Sequence, residues 1–118
     1  MSLFPPEISS SMATLGEIEE AVQAAHNAGA AQIALLKCTS AYPGPPGEMN
    51  LRTIPHLVES FHVPVGLSDH TLGIAVPIAA AGLGSCIVEE HFTLSCSTPA
   101  RIAPSRWSPM SSRLCDSY

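Results

Sequence analysis

The sequence predicts an α/β fold built as part of a TIM (β/α)8 barrel, with parallel strands alternating with helices. Three observations lead there. Residues 32–38, 63–67 and 85–90 are short apolar runs of strand length without period-two alternation, as strands covered on both faces require. Segments with helical spacing or small-residue helical composition separate those runs. The loops between them are rich in Pro and Gly, above all Tyr42-Pro43-Gly44-Pro45-Pro46-Gly47. Strand, helix and strand in succession imply a parallel sheet with right-handed crossovers. Three or four such units amount to half of an eight-unit barrel, with two open strand edges.

The elements follow in order. The segment before Met12 supplies one further strand end. Thr14 and Glu17 fit a capping box, with Thr14 as N-cap and Glu17 reaching back to its amide. Ile18, Ala21, Val22 and Ala25 then form one apolar helical stripe, and Gly29 stops the helix. The strand at 32–38 leads into the Pro/Gly loop. Asn50 is the expected cap of a second helix running to Phe61, with Pro55 in its first turn or two. A strand at 63–67, a small-residue helix at 72–83 and a strand at 85–90 complete the pattern. Residues 1–96 form the expected partial barrel. Residues 97–118 lose all periodicity and carry the chain's only Trp, so they are set apart as a tail.

Composition bounds the function. With 118 residues, the chain has one domain's worth of core at most. Its 46% hydrophobic and 13% charged content is that of a folded domain rather than a disordered segment. A formal charge of -5 with five Lys and Arg argues against nucleic acid, which requires clustered cations. No secretory signal is visible at the start. The longest apolar stretch, residues 72–88, is interrupted by Gly73, Pro77, Gly82 and Gly84, so it reads as helix, turn and strand rather than a membrane span. Cys38, Cys86, Cys96 and Cys115 lack zinc-type spacing, and a reducing cytoplasm is the expected location. Cys38 and Cys86 are expected to act as small hydrophobes.

Two histidines carry the chemical interest. His70 in Ser68-Asp69-His70-Thr71 and His91 in Glu89-Glu90-His91-Phe92 each follow a predicted strand. In a parallel barrel those strand ends share the face that builds the active site. Neighbouring strands lie about 4.8 Å apart, so two imidazoles there can share one divalent metal such as manganese, iron or zinc. Spacing alone does not separate that arrangement from two independent strand-end hydrogen bonds. Ser68 is a candidate phosphate ligand and Asp69 a candidate partner orienting His70; ordinary capping is the alternative. Ser40 and Tyr42, at the end of the preceding strand, reach the same face if they are not simply turn and packing residues. Lys37 in an apolar run points either inward to a functional site or out to solvent. His26, His56 and His62 are assigned to solvent-facing helix positions.

These segments resemble the N-acetylneuraminate and pseudaminate (nonulosonic acid) synthase family. The likeness rests on Met12-Ala13-Thr14-Leu15 with EIEEAV (17–22), LLKCTSAYPGPPGEMNLRTIP (35–55), VPVGLSDHTLGIAVPIAA (63–80) and EEHFTLS (89–95). It implies the C-terminal half of the barrel, about strands five to eight. It also implies a transferase that condenses phosphoenolpyruvate with an N-acetylated amino sugar and releases phosphate. On that resemblance His70 and His91 are the catalytic metal ligands, with Mn2+ as the ion. Ser68 and Ser9 contact the phosphoenolpyruvate phosphate, Ser40 lines its pocket, and Tyr42 lies beside the sugar. Full-length family members form homodimers, and Lys37 before Cys-Thr-Ser is closer to the pseudaminate branch.

The departures carry their own expectations. Strands one to four are absent, with the family's catalytic glutamate and two phosphate-binding lysines, as is the C-terminal antifreeze-like domain. Ser11 stands where the family has glycine, and Glu90 where it has a lysine before the metal histidine. Regrouping suitable codons for residues 98–111 by one base yields PGPD[S/R/C]AFSLEPDE, the family's continuation, so a frameshift near Thr98 is expected to have produced the tail. The isolated chain is therefore expected to be inactive. The alternatives are a non-catalytic product of a decayed gene and another metal-dependent barrel enzyme.

Overall fold

The computed structural model describes residues 5–41 and 44–90. Its elements are β1 (Glu7–Ser9), α1 (Leu15–Asn27), β2 (Ala34–Cys38), a short 3-10 turn (Pro46–Glu48), α2 (Thr53–Phe61), β3 (Val65–Asp69), α3 (Ala75–Gly82) and β4 (Val88–Glu90). The strands form one four-stranded parallel sheet in the order β1-β2-β3-β4. Every connection between neighbouring strands passes through one helix, which is the repeating unit of a partial α/β barrel. Among the described residues β1 and β4 are the sheet edges.

Local chemistry accounts for the helix boundaries. Thr14 caps α1 as expected: its hydroxyl accepts from the Glu17 amide at 3.3 Å, and Glu17 Oε2 accepts from the Thr14 amide at 2.7 Å. The Thr14 amide and, to a smaller degree, the Thr14 hydroxyl donate to Glu17 Oε2 and hold the exposed Glu17 carboxyl below its usual range. Gly29 follows the helix with φ of 95°, a conformation that Gly adopts without a Cβ penalty.

The second helix departs from the expectation. It starts at Thr53 rather than directly after Asn50, and its N-cap position is Arg52. Asn50 instead takes a left-handed conformation, and its side-chain amide donates to Glu48 O at 3.3 Å. Pro55 supplies the reason. In a helix begun at Leu51, its ring would face the Leu51 carbonyl and its missing N–H would break the ladder. Begun at Thr53, the helix holds Pro55 in its first turn, where no intrahelical donor is required.

Strand starts also shift. β3 begins at Val65, because His62 closes α2 in a left-handed conformation and Pro64 O accepts from Leu35 N at 3.0 Å. Ser68 and Asp69 consequently lie inside the strand. The apolar stretch at 72–88 divides into bend, α3 and the first residue of β4. No helix among the described residues is long and apolar enough to cross a membrane.

Strand alternation sorts the side chains onto two faces. Leu35, Val65 and Leu67 pack with Ile18, Met49, Ile54, Leu57, Val76 and Ala80 into the core between sheet and helices. Residues alternating with them, Leu36, Cys38, Gly66 and Ser68, line the opposite, barrel-interior face. Gly66 is required there. A Cβ at this position would lie 2.7 Å from Ile87 Cβ, Ile87 O and Leu36 Cδ2, closer than any real contact.

Candidate active site

The register builds the site from three adjacent strands. Cys38 of β2 is opposite Ser68 of β3, and Ser68 is opposite Glu89 of β4. All three therefore share the interior face at the C-terminal ends of parallel strands. His70 follows β3 by one residue and continues the same alternation.

His70 is held from several sides and is 6% exposed. Its Nδ1 donates to Thr39 O at 2.7 Å. A carbonyl can only accept, so this bond places the ring proton on Nδ1 and leaves a lone pair on Nε2. Ser68 Oγ lies 3.4 Å from Nε2 and donates to Glu89 Oε1 at 3.2 Å. Cys38 Sγ lies 3.8 and 3.9 Å from the two ring nitrogens. The backbone is pinned as well, because Gly44 N donates to His70 O at 2.6 Å. One imidazole, one hydroxyl, one thiol and one carboxylate thus meet at a single strand end.

Several expectations require correction. Asp69 does not lie on the interior face. It alternates with Ser68 onto the helix side, where its Oδ1 accepts from Thr71 N at 2.9 Å and Thr71 Oγ1 at 2.8 Å. The bond that orients the His70 ring runs to the Thr39 carbonyl instead. Glu90 pairs with Asp69 rather than with Ser68, so its charge reversal falls on the helix side too. Lys37 alternates with Cys38 and shares its face with Leu35, turned away from the barrel interior. Cys86 is exposed rather than buried, and Cys38 touches His70 besides filling space.

The remaining expected residues are placed as follows. Ser9 ends β1 on the interior face, but its register partner is Leu36, which sets it one inward-facing layer below Ser68 and two strands away. Ser40 lies in the loop after β2, hydrogen-bonded through Oγ to Ser11 Oγ. Ser11 itself has φ of 33°, which explains why a glycine suits that position. His26, His56 and His62 are exposed, as expected. Tyr42, His91 and the tail from 97 onward lie outside the described residues. Glu89 was missed by sequence reasoning, because its place opposite Ser68 is set by the pairing of two strands rather than by any local signal.

The donor set can be tested against a divalent metal. A metal-ligating histidine characteristically donates its second ring nitrogen to a carbonyl or carboxylate, and His70 does so to Thr39. Its Nε2 is therefore suited to ligation. Among the described residues no group of three or more His, Cys, Asp or Glu is arranged to hold a metal ion. His70 fits as one ligand, and a complete shell needs others.

A partial parallel α/β barrel with polar side chains gathered at the C-terminal strand ends is the architecture of a barrel enzyme's active-site face. Residues 5–105 match the NeuB family, to which the chain belongs. It is 48% identical over 89 residues to the N,N'-diacetyllegionaminic acid synthase of Campylobacter jejuni, covering 74% of this chain and 27% of that one. It is 42% identical over 91 residues to the pseudaminic acid synthase of Helicobacter pylori, covering 77% and 27% respectively. The chain thus spans about a quarter of the length of these curated relatives. Among solved structures, the spore coat polysaccharide biosynthesis protein spsE of Bacillus subtilis superposes with a TM-score of 0.82 at 32% identity. That match covers 94% of this chain and 32% of the other.

Proposed function

We propose that these residues form part of the active-site face of a nonulosonic acid synthase that joins phosphoenolpyruvate to an N-acetylated amino sugar. The observation that carries this reading is the Ser68–His70–Glu89 cluster on the barrel-interior face of adjacent parallel strands. Relatives named as synthases of legionaminic and pseudaminic acids support the class of product.

In this reading Nε2 of His70 and the imidazole of His91 hold one divalent metal, Mn2+ by preference. When bound, the ion supplies Lewis-acid polarisation of the sugar aldehyde. The chain's own residues bind and orient. Thr39 O fixes the His70 tautomer. Ser68 Oγ, now donating to Glu89, turns its proton toward the phosphate of phosphoenolpyruvate. Ser9 and Ser40 line the same pocket, the latter steadied by Ser11, and Tyr42 borders the sugar. Glu89 accepts the hydrogen bond of the Ser68 hydroxyl when no substrate is present.

The 118 residues by themselves are expected to bind phosphoenolpyruvate weakly and not to turn it over, because electrostatic preorganisation requires the whole ligand set. The test is calorimetric titration of phosphoenolpyruvate in the presence of Mn2+. Binding should disappear in Ser68→Ala and His70→Gln but persist in Thr14→Ala. Unchanged binding in both site variants would remove the basis of this reading.

A further inference from the structure

A cavity lies on the other, helix-covered side of the sheet. It has a volume of about 330 Å³ and opens between the N-terminal ends of α1 and α2. Ser10, Ser11, Lys37, Asn50, Thr53 and His56 supply its polar lining, and Ile18 and Leu57 form its apolar wall.

Lys37 is the unusual member. It is 8% exposed and sits in a strand otherwise built of Ala, Leu and Cys. Its Nζ donates to Cys38 O at 3.0 Å, which satisfies one of an ammonium's three donors. Among the described residues no Asp or Glu lines the cavity. A buried ammonium without a carboxylate is costly, and burial accordingly pushes the Lys37 pKa down, with only a partial offset from Cys38. Ser10, 4% exposed, adds a hydroxyl at the cavity edge. The first amides of α2 are already committed, Thr53 N to Asn50 O at 2.9 Å and Ile54 N to Leu51 O at 3.0 Å. The available donors are therefore side chains converging from three different segments.

Donors in excess and a buried cation with no anion beside it among the described residues together specify a ligand. We infer that the Lys37 cavity binds the phosphate group of a small molecule, or phosphate itself, at a place separate from the Ser68–His70 face. An oxyanion there accepts from the ammonium and from the Ser10 and Thr53 hydroxyls at once, and charge-assisted bonds of this kind are the strong ones. The volume is at the lower end of small-molecule pockets, so a compact organic phosphate also fits. Lys37 and Cys38 alternate on β2, so the cavity and the candidate active site lie on opposite faces of the sheet.

The experiment is a titration of the 15N-labelled chain with sodium phosphate, against sodium chloride at matched ionic strength. Saturable amide shifts are expected at Ser10, Thr53 and His56. They should survive Ser68→Ala, and in Lys37→Met the affinity should fall at least about tenfold, as expected for a lost charge-assisted bond. Lys37→Met keeps the side chain's length and removes the buried charge; its folding is checked by circular dichroism. The map of shifts in the unaltered chain tests the site even if that variant fails to fold. Glycerol 3-phosphate in place of inorganic phosphate distinguishes the two sources: tighter binding indicates an organic phosphate, equal binding the free ion. Shifts confined to residues 68–70 and 89, shifts that persist in Lys37→Met, or a linear unsaturating response would each overturn the inference.

Discussion

Replacing Gly66 with Ala tests whether the interior face is packed as described. The added Cβ would meet Ile87 Cβ, Ile87 O and Leu36 Cδ2, all at 2.7 Å. Restoring an ordinary separation of 3.4 Å requires a shift of 3.4 − 2.7, or 0.7 Å. Ile87 O also accepts from Leu67 N at 2.8 Å, the bond that ties β4 to β3. Moving Ile87 by that amount lengthens the bond to 2.8 + 0.7, or 3.5 Å, the outer limit of a hydrogen bond. Overpacking costs about 1–3 kcal/mol. The weakened bond adds roughly 0.5–1.5 kcal/mol. The lower entropy of the unfolded Ala chain returns about 0.4–1 kcal/mol. A net loss of about 0.5–4 kcal/mol, centred near 2, is expected, which lowers the urea midpoint by roughly 1 M at a typical slope for small domains. Gly82→Ala is the control. It lies in α3 with nothing within 4 Å, so the same substitution there should stabilise by up to about 1 kcal/mol. Urea unfolding followed by circular dichroism reads both variants. A Gly66→Ala midpoint at or above that of the unaltered chain would refute the interior packing.

Three further outcomes follow from local structure. Thr14→Ala should cost about 1 kcal/mol of stability in the same assay, because the hydroxyl that accepts the Glu17 amide is lost. Glu17→Gln should destabilise at neutral pH and converge with the unaltered chain in acid: the folded Glu17 pKa is lowered, so its contribution is present above the unfolded pKa and disappears as pH falls through the folded one. Lys37 has a dependence of the same sign in the alkaline range, where its charged form is the one that burial destabilises. Its folded pKa is also lowered, so between the folded and unfolded values the unfolded chain binds more protons and stability rises with pH. Lys37→Met should flatten that rise on the alkaline side and raise the melting temperature at pH 7; a pH profile with the same slope in both proteins would contradict it.

Much of the fold was legible because local rules agreed with the global arrangement. The capping box at Thr14 and Glu17, the left-handed Gly29 and the Pro/Gly loop mark boundaries whose causes lie within a few residues. The unalternating strands β2 and β3 are buried at every position, as their composition implied. The start of α2 was less legible. Asn50 is a good cap by type, but Pro55 two residues into the helix set the boundary at Thr53. At the site, Ser68 and His70 were legible from their place at a strand end. Glu89 was not, because its role depends on lying opposite Ser68 in a neighbouring strand.

The sequence by itself determined that strands and helices alternate, that the strands are parallel, that β2 and β3 are buried and that polar residues gather where the strands end. These follow from composition and periodicity along the chain. The strand at 85–90, expected to be buried as well, is an exposed edge of the sheet among the described residues. Only the tertiary structure decided which side of the sheet each polar residue occupies. Asp69 and Lys37 went to the helix side, Ser68 and Glu89 to the interior, and Gly66 was left without a side chain so that Leu36 and Ile87 could close over it. In a strand with period two, a one-residue difference in where it begins reverses the face of every side chain. That starting point is fixed by contacts with neighbouring strands, such as Pro64 O with Leu35 N, which no single stretch of sequence contains.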